Sequence, residues 1–228
     1  MDHVQQVWFQ PDRALHVPGV RRNRAAPSRR ALAEHPIWST LHAVDTLERG
    51  DIQFFFQPSV QPADAETYVL GVQSFFAILS PSRGSHRRLR VGRKRMPASA
   101  RDRFWARIER VGSLQRVLGD KLEPERYSTK TRGERYQPAA RPIARGTYAF
   151  VQHDDHTHLV YEVEPFGFDD APEEIQLAPS GDHLVLFKNR TSSSAVWSHA
   201  GALSTLGDEG TQLVLVGARA GDRIADAA

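Results

Sequence analysis

A cluster of side chains suited to metal binding or proton transfer lies in the segment HDDHTH, residues 153–158, between two apolar runs. Imidazole nitrogens and carboxylate oxygens are zinc ligands, and a catalytic zinc keeps one coordination position open. The same groups act as general acids or bases near neutral pH. His153, His156 and His158 are therefore candidate catalytic residues and candidate ligands of a divalent metal such as zinc. The alternative is an exposed polar hairpin tip.

A hairpin positions these histidines. We expect RGTYAFVQH and HLVYEVEP to be its strands, joined by a four-residue loop, 154–157. That register sets His153 opposite His158 and Phe150 opposite Tyr161. Because side chains alternate along a strand, the two aromatic residues take the apolar face and the two histidines take the other face.

Two further segments, HRRLRVGRKR and STKTRGERY, carry side chains that bind phosphate, namely arginine, lysine, glycine, serine and threonine. Tyr127, Tyr136 and Trp105 could stack on bases if exposed, although we expect Trp105 in the core. Glu134 is a candidate catalytic base or metal ligand. The alternative for the first segment is a solvated sheet edge. The candidate phosphate-binding or nucleic-acid-binding residues are Arg87, Arg88, Arg90, Arg93, Lys94, Arg95, Arg103, Arg107, Arg110, Lys130, Arg132 and Arg135.

Charge is distributed very unevenly along the chain. Residues 1–82, 83–145 and 146–228 have net charges of −1, +13 and −9, which sum to the +3 of the whole chain. A region as basic as the middle one attracts polyanions. The alternative is that the acidic last third neutralises the basic region within the fold.

Composition narrows the class of protein. The chain has 228 residues, no cysteine, 40% hydrophobic residues and 25% charged residues, as in globular proteins. It shows no apolar run of about 20 residues and no signal-peptide pattern at its start. We expect a cytoplasmic protein with no membrane partner. None of the common nucleotide-binding, zinc-binding or hydrolase motifs is present.

The apolar periodicity predicts an α+β fold, built as an antiparallel sandwich or partly open barrel with two or three helices. Helices are expected from residue 37 to Gly50, in ASARDRFWARIERVG and in SLQRVLG, and residues 120–142 are expected to be a long loop. Strands are expected in DIQFFFQP, YVLGVQSFFAILSP, HRRLRVGRKR at an edge, GDHLVLFKNR and TQLVLVGAR, and EEIQL is expected to be a short strand or a turn. The similar starts RGDI and RGTY suggest two related three-stranded meanders.

The expected organisation is a basic, mobile arm over residues 1–34, a single domain over 35–220 and a frayed tail over 221–228. The domain divides into a first half at 35–97, a basic helical and loop insert at 98–142 and a second β half at 143–220.

These patterns favour binding of nucleic acid or another polyanion without strong sequence specificity. Two alternatives remain. One is a phosphate-ester hydrolase or nuclease using the histidine cluster. The other is a protein–protein interaction module, including self-association through the basic and acidic surfaces.

Overall fold

The structure is a computed structural model, and every residue it describes belongs to one compact unit, Pro36–Ala228. The predicted arm at 1–34 and tail at 221–228 lie outside the described residues. The side chain of His153 is also outside the description. The described ranges are 45–63, 71–153, 156–166, 172, 174–188, 197–198 and 203–217.

Strands dominate the described residues, with 63% in strands and 9% in helices. The first six strands are β1 (Asp45–Pro58), β2 (Gln61–Pro62), β3 (Val72–Pro81), β4 (His86–Val91), β5 (Arg103–Gly112) and β6 (Glu125–Thr129). The other six are β7 (Gly133–Gln137), β8 (Arg141–His153), β9 (His156–Pro165), β10 (Ser180–Lys188), β11 (Trp197–Ser198) and β12 (Gln212–Gly217). The helical elements are α1 (Leu114–Leu122) and a 3-10 turn (Leu203–Gly207).

Eight of these strands form a closed antiparallel barrel. The strand order is β10-β12-β5-β4-β3-β1-β8-β9, and β9 pairs again with β10 to complete the circle. β11 adds to one end of β10, while β2, β7 and β6 form a separate small sheet. The predicted α+β sandwich or partly open barrel with two or three helices is therefore wrong. Each meander has four strands rather than three.

The helix predicted in ASARDRFWARIERVG is strand β5. Its apolar residues fit both a helical and an alternating pattern, and pairing with β4 and β12 selects the alternating one. Phe104, Ala106 and Ile108 point into the barrel, so Trp105 takes the outer face. The expectation that Trp105 lies in the core is wrong for the same reason.

Other elements also depart from the predictions. Gly50 lies within β1 rather than at the end of a helix, and residues 37–44 of that predicted helix lie outside the described residues. Residues 120–142 contain the β6–β7 hairpin instead of a long loop. β4 lies between β3 and β5 rather than at an edge. In EEIQL, Glu174 is in a turn and residues 175–177 form no strand, so the turn alternative applies to the described part of that segment.

The helix predicted in SLQRVLG is confirmed as α1. The side chain of Ser113 caps it by accepting a hydrogen bond from the backbone N–H of Arg116 at 3.3 Å. Val117 and Leu118 are buried, and α1 contacts β4 and β5. No helix in the described part of the chain is long and apolar enough to cross a membrane.

The two meanders, β1-β3-β4-β5 and β8-β9-β10-β12, are related by an approximate two-fold axis. Where β1 meets β8, Gly50 pairs with Tyr148 and Gly146 pairs with Ile52. Each glycine thus faces the residue two positions beyond the other glycine, as two-fold symmetry requires. The pairing of β5 with β12, on the far side of the barrel, has the same two-fold relationship between equivalent residues of the two meanders.

These glycines allow close approach of neighbouring strands. A Cβ atom on Gly50 would overlap the carbonyl oxygen of Ser80 in β3. A Cβ atom on Gly146 would overlap the carbonyl oxygen of Glu162 in β9. Because both obstacles are backbone atoms, relief requires the strands to move apart.

We predict that Gly50→Ala and Gly146→Ala each lower the free energy of unfolding by about 2–3 kcal/mol, since overpacking displaces paired strands. The measurement is urea denaturation followed by circular dichroism. Gly207→Ala is the matched control, because a Cβ atom there meets nothing within 4 Å. Equal effects from all three variants would contradict the account of the glycines.

The barrel interior is largely aromatic and aliphatic. Phe54 stacks on Phe75 with ring centroids 5.6 Å apart and meets Tyr161 edge-on at 5.2 Å. One ion pair lies among these residues: Arg87 donates to both carboxylate oxygens of Glu48 at 2.6 and 2.8 Å. The Tyr148 hydroxyl donates to the same carboxylate at 2.7 Å. The two charges neutralise each other, although Arg87 Nε has no hydrogen-bond partner in the described structure. Removing either side chain therefore leaves the other as an unpaired buried charge.

We predict that Glu48→Gln lowers the free energy of unfolding by about 3–5 kcal/mol, because Arg87 then stays buried without a counter-ion. The double variant Glu48→Leu/Arg87→Leu should recover most of this loss. Denaturant titration of the single and double variants measures both effects. A double variant no more stable than Glu48→Gln would show that the pair does not act as a unit.

Candidate polyanion-binding face

Strand β5 presents a tryptophan between two arginines on the outside of the barrel. Arg103, Trp105 and Arg107 alternate with the buried residues of β5, so all three side chains project outward. The Trp105 side chain is 58% exposed, the largest value among the large hydrophobic residues that the structure describes. In the described part of the chain, neither arginine makes an ion pair.

Strand β12 continues this surface with apolar side chains. Val214 pairs with Trp105, and Val216 pairs with Arg103. Val214 is buried and Val216 is half-buried on the outer face. We call the outward side chains Arg103, Trp105, Arg107, Val214 and Val216 the Trp105 face.

Strand β4 borders the other side of β5 with a cation. Arg90 is exposed and pairs in register with Arg107. Its guanidinium donates to the carboxylate of Glu109 at 3.1 Å, and the same carboxylate contacts Arg88 at 3.2 Å. Arg90 is thus partly neutralised, whereas Arg103 and Arg107 are not.

Half of the twelve predicted phosphate-binding residues have carboxylate partners in the fold. Arg87 is paired inside the barrel with Glu48, and Arg90 contacts Glu109, as described above. The other four pairs are Arg88 with Asp120 at 2.5 Å, Lys94 with Glu174 at 2.7 Å, Arg95 with Asp102 at 3.2 Å and Arg110 with Glu209 at 3.9 Å. Three of the six carboxylates, Glu48, Glu174 and Glu209, come from outside residues 83–145, so the fold offsets only part of the positive charge of that region.

Arg88 holds α1 against the barrel rather than facing solvent. It is buried, donates to the Val117 carbonyl at 2.9 Å and contacts both carboxylate oxygens of Asp120. Its guanidinium lies 6.0 Å from the centre of the Phe76 ring. Burial raises the pKa of Asp120, but the hydrogen bond and charge of Arg88 outweigh it and the pKa falls below its usual value.

The β6–β7 hairpin carries a second group of the predicted cations, away from β5 in sequence and in a different sheet. Lys130 and Arg132 are exposed at its turn, where Gly133 has a φ of 65°. Arg135 instead donates to the Val60 carbonyl at 3.2 Å. Arg93, just after β4, is also exposed.

The histidine hairpin forms with a shorter turn than predicted. His153 pairs with His156, and Val151 pairs with His158, so only two residues separate β8 from β9. The predicted pairing of His153 with His158 and of Phe150 with Tyr161 is wrong by two positions. Glu134 lies on β7, in a different sheet from the histidines.

His158 is buried on the outer face of β9, where its Nδ1 lies 2.7 Å from a carboxylate oxygen of Asp182. In the described residues no three histidine, aspartate or glutamate side chains form a group that could hold a metal ion. The His153 side chain and residues 154–155 lie outside that description. The zinc site therefore stays a prediction.

His183 is a buried residue whose position sequence reasoning did not find. It lies inside the barrel, 3% exposed, and neither ring nitrogen has a hydrogen-bond partner in the described structure. Burial lowers the pKa of His183 to about 4; the nearby Asp182 carboxylate raises it by a smaller amount, and His158 lowers it slightly further. The imidazole is neutral at pH 7, and the alternation of GDHLVLF was the available signal for its inward direction.

Comparison with known proteins does not assign a function. No family model, curated protein or solved structure matches the chain. The functional inference therefore depends on the geometry of the Trp105 face and on the charges around it.

We predict that acidification between pH 6.5 and 4 removes about 3 kcal/mol of stability through His183. In this range the unfolded chain takes up a proton at His183 and the folded chain does not, so stability is full above pH 6.5 and falls toward pH 4. Leu89 pairs with Ala77 in the first meander, and His183 pairs with Leu159 in the second. Leu89 and His183 therefore occupy equivalent positions of the two meanders, and one meander already has leucine there. His183→Leu should therefore be tolerated and should remove this contribution.

The measurement is the free energy of unfolding against pH for the original chain and His183→Leu. Taking the difference cancels the carboxylates and His86, which both proteins share. A constant difference between pH 7 and 4 would contradict the burial of a neutral imidazole.

Proposed function

We propose that this protein binds polyanions, nucleic acid in particular, through the Trp105 face and without strong sequence specificity. The observation that carries the proposal is the exposed Trp105 between two exposed arginines that have no carboxylate partner in the described structure. Guanidinium groups bind phosphate oxygens by charge and by paired hydrogen bonds. An exposed indole adds a flat surface on which a base can stack.

The fold supports this use of β5 because it fixes the three side chains without a flexible loop. β12 pairs with residues 103–107 of β5, β4 pairs with residues 106–112, and the backbone N–H of Gly92 donates to the Trp105 carbonyl at 2.7 Å. Its inner face is held by Phe104, Ala106 and Ile108 in the core. Neutralising Arg103 or Arg107 by an external phosphate therefore requires no rearrangement of the backbone.

The absence of strong sequence specificity follows from the types of side chain present. Sequence is read mainly by hydrogen bonds to base edges, whereas phosphate contacts and stacking accept any base. The Trp105 face offers two guanidinium groups, one indole and two valines.

A cysteine-free chain also suits the reducing cytoplasm, which is where we place this activity.

We predict that Arg103→Ala and Arg107→Ala each weaken binding of a single-stranded oligonucleotide and each reduce the slope of log affinity against log salt by about 0.7. Fluorescence anisotropy at several salt concentrations gives both quantities. Arg132→Ala is the matched control, since it removes one exposed arginine on the β6–β7 hairpin. An equal loss with Arg132→Ala, or binding that is independent of salt, would contradict the assignment to the Trp105 face.

A further inference from the structure

We infer that the Trp105 face selects single-stranded over double-stranded nucleic acid, an inference that rests on the proposed function. The structure places arginines before and after Trp105 along β5 and on the neighbouring β4, and aliphatic side chains beside Trp105 on β12 and β10. A single strand has the matching arrangement, because its phosphates lie along one edge and its base faces are exposed along the other. In a duplex the base faces are stacked internally, and the phosphates are presented without them.

The cationic side lies on β5 itself and toward β4. Arg103 and Arg107 are separated by four positions of an extended strand, which is about 13 Å. Arg90 lies beside Arg107 on β4. A phosphodiester chain running along β5 can therefore meet a guanidinium before and after Trp105.

The apolar side lies toward β12 and β10. Val214 pairs with Trp105 and also with Leu186 of β10, and Val216 pairs with Leu184. Both leucines are half-buried on the outer face. The outward residues that β12 and β10 place beside Trp105 are thus aliphatic over two strands, which suits the face of an unpaired base better than a phosphate.

Charge complementarity favours an acidic occupant beside the arginines. On the side of β12 and β10, the ammonium of Lys188 donates to Gln212 at 3.0 Å. A polyanion without bases can contact the arginines but gains nothing from the valines and leucines. The aromatic and aliphatic residues should therefore decide between polyanions that the arginines alone would not distinguish.

The experiment compares three probes on the full chain: an oligothymidylate of about 12 nucleotides, a duplex of the same length and heparin. We expect Trp105→Ala to weaken oligothymidylate binding about tenfold or more and to change duplex and heparin binding less than about twofold. Trp105→Phe should keep most of the single-strand affinity. Arg103→Ala should weaken all three. Tyr127→Ala, which removes an exposed aromatic ring elsewhere, is the control.

The outcomes separate the two proposals. If no probe binds, the proposed function is wrong and this inference falls with it. If single strand and duplex bind equally and Trp105→Ala affects both alike, polyanion binding stands and strand selection is wrong. If Trp105→Ala only abolishes self-association in size-exclusion chromatography, the Trp105 face joins two copies of this chain, which also overturns the inference. A thermal midpoint unchanged by Trp105→Ala shows that the fold is intact.

Discussion

Closure of the barrel by antiparallel pairing is the constraint on which the rest of the structure depends. The two meanders meet at β1–β8 and at β5–β12, and these two contacts leave no free edge in the ring of eight strands. Alternation along each paired strand then decides which side chains enter the core. This is why Arg87 needs Glu48 inside the barrel, and why Trp105, between two core residues, has to lie outside.

The basic middle third of the chain is divided by this fold into cations that stabilise the protein and cations that face solvent. Five carboxylates neutralise arginines and a lysine of this segment: Asp102, Glu109 and Asp120 from the segment itself, and Glu174 and Glu209 from the last third. Two of these carboxylates come from the acidic last third, so neutralisation within the fold is real but partial. Of the two arginines that remain open on β5, Arg103 pairs with Val216 of β12 and Arg107 pairs with Gln212.

Strands with one strong pattern were predictable from sequence, and the surfaces made by distant pairing were not. The runs that became β1, β3, β10 and β12 each combine apolar residues with alternation, and the hairpin of β8 and β9 was recognisable. RFWARIERV fits two periods, so local sequence could not choose a strand. Loop length alone could not fix the histidine register, and nothing near Trp105 in sequence indicates that Val214 lies beside it.

The most direct test of the central claim is whether a polyanion touches β5. Indole N–H resonances of the four tryptophans can be followed by nitrogen–proton NMR while oligothymidylate is added, with Trp105 assigned from Trp105→Phe. The account predicts that the Trp105 resonance shifts most, together with backbone amides of β5 and β12. Shifts confined to the β6–β7 hairpin or to the histidine turn, with Trp105 unmoved, would contradict it.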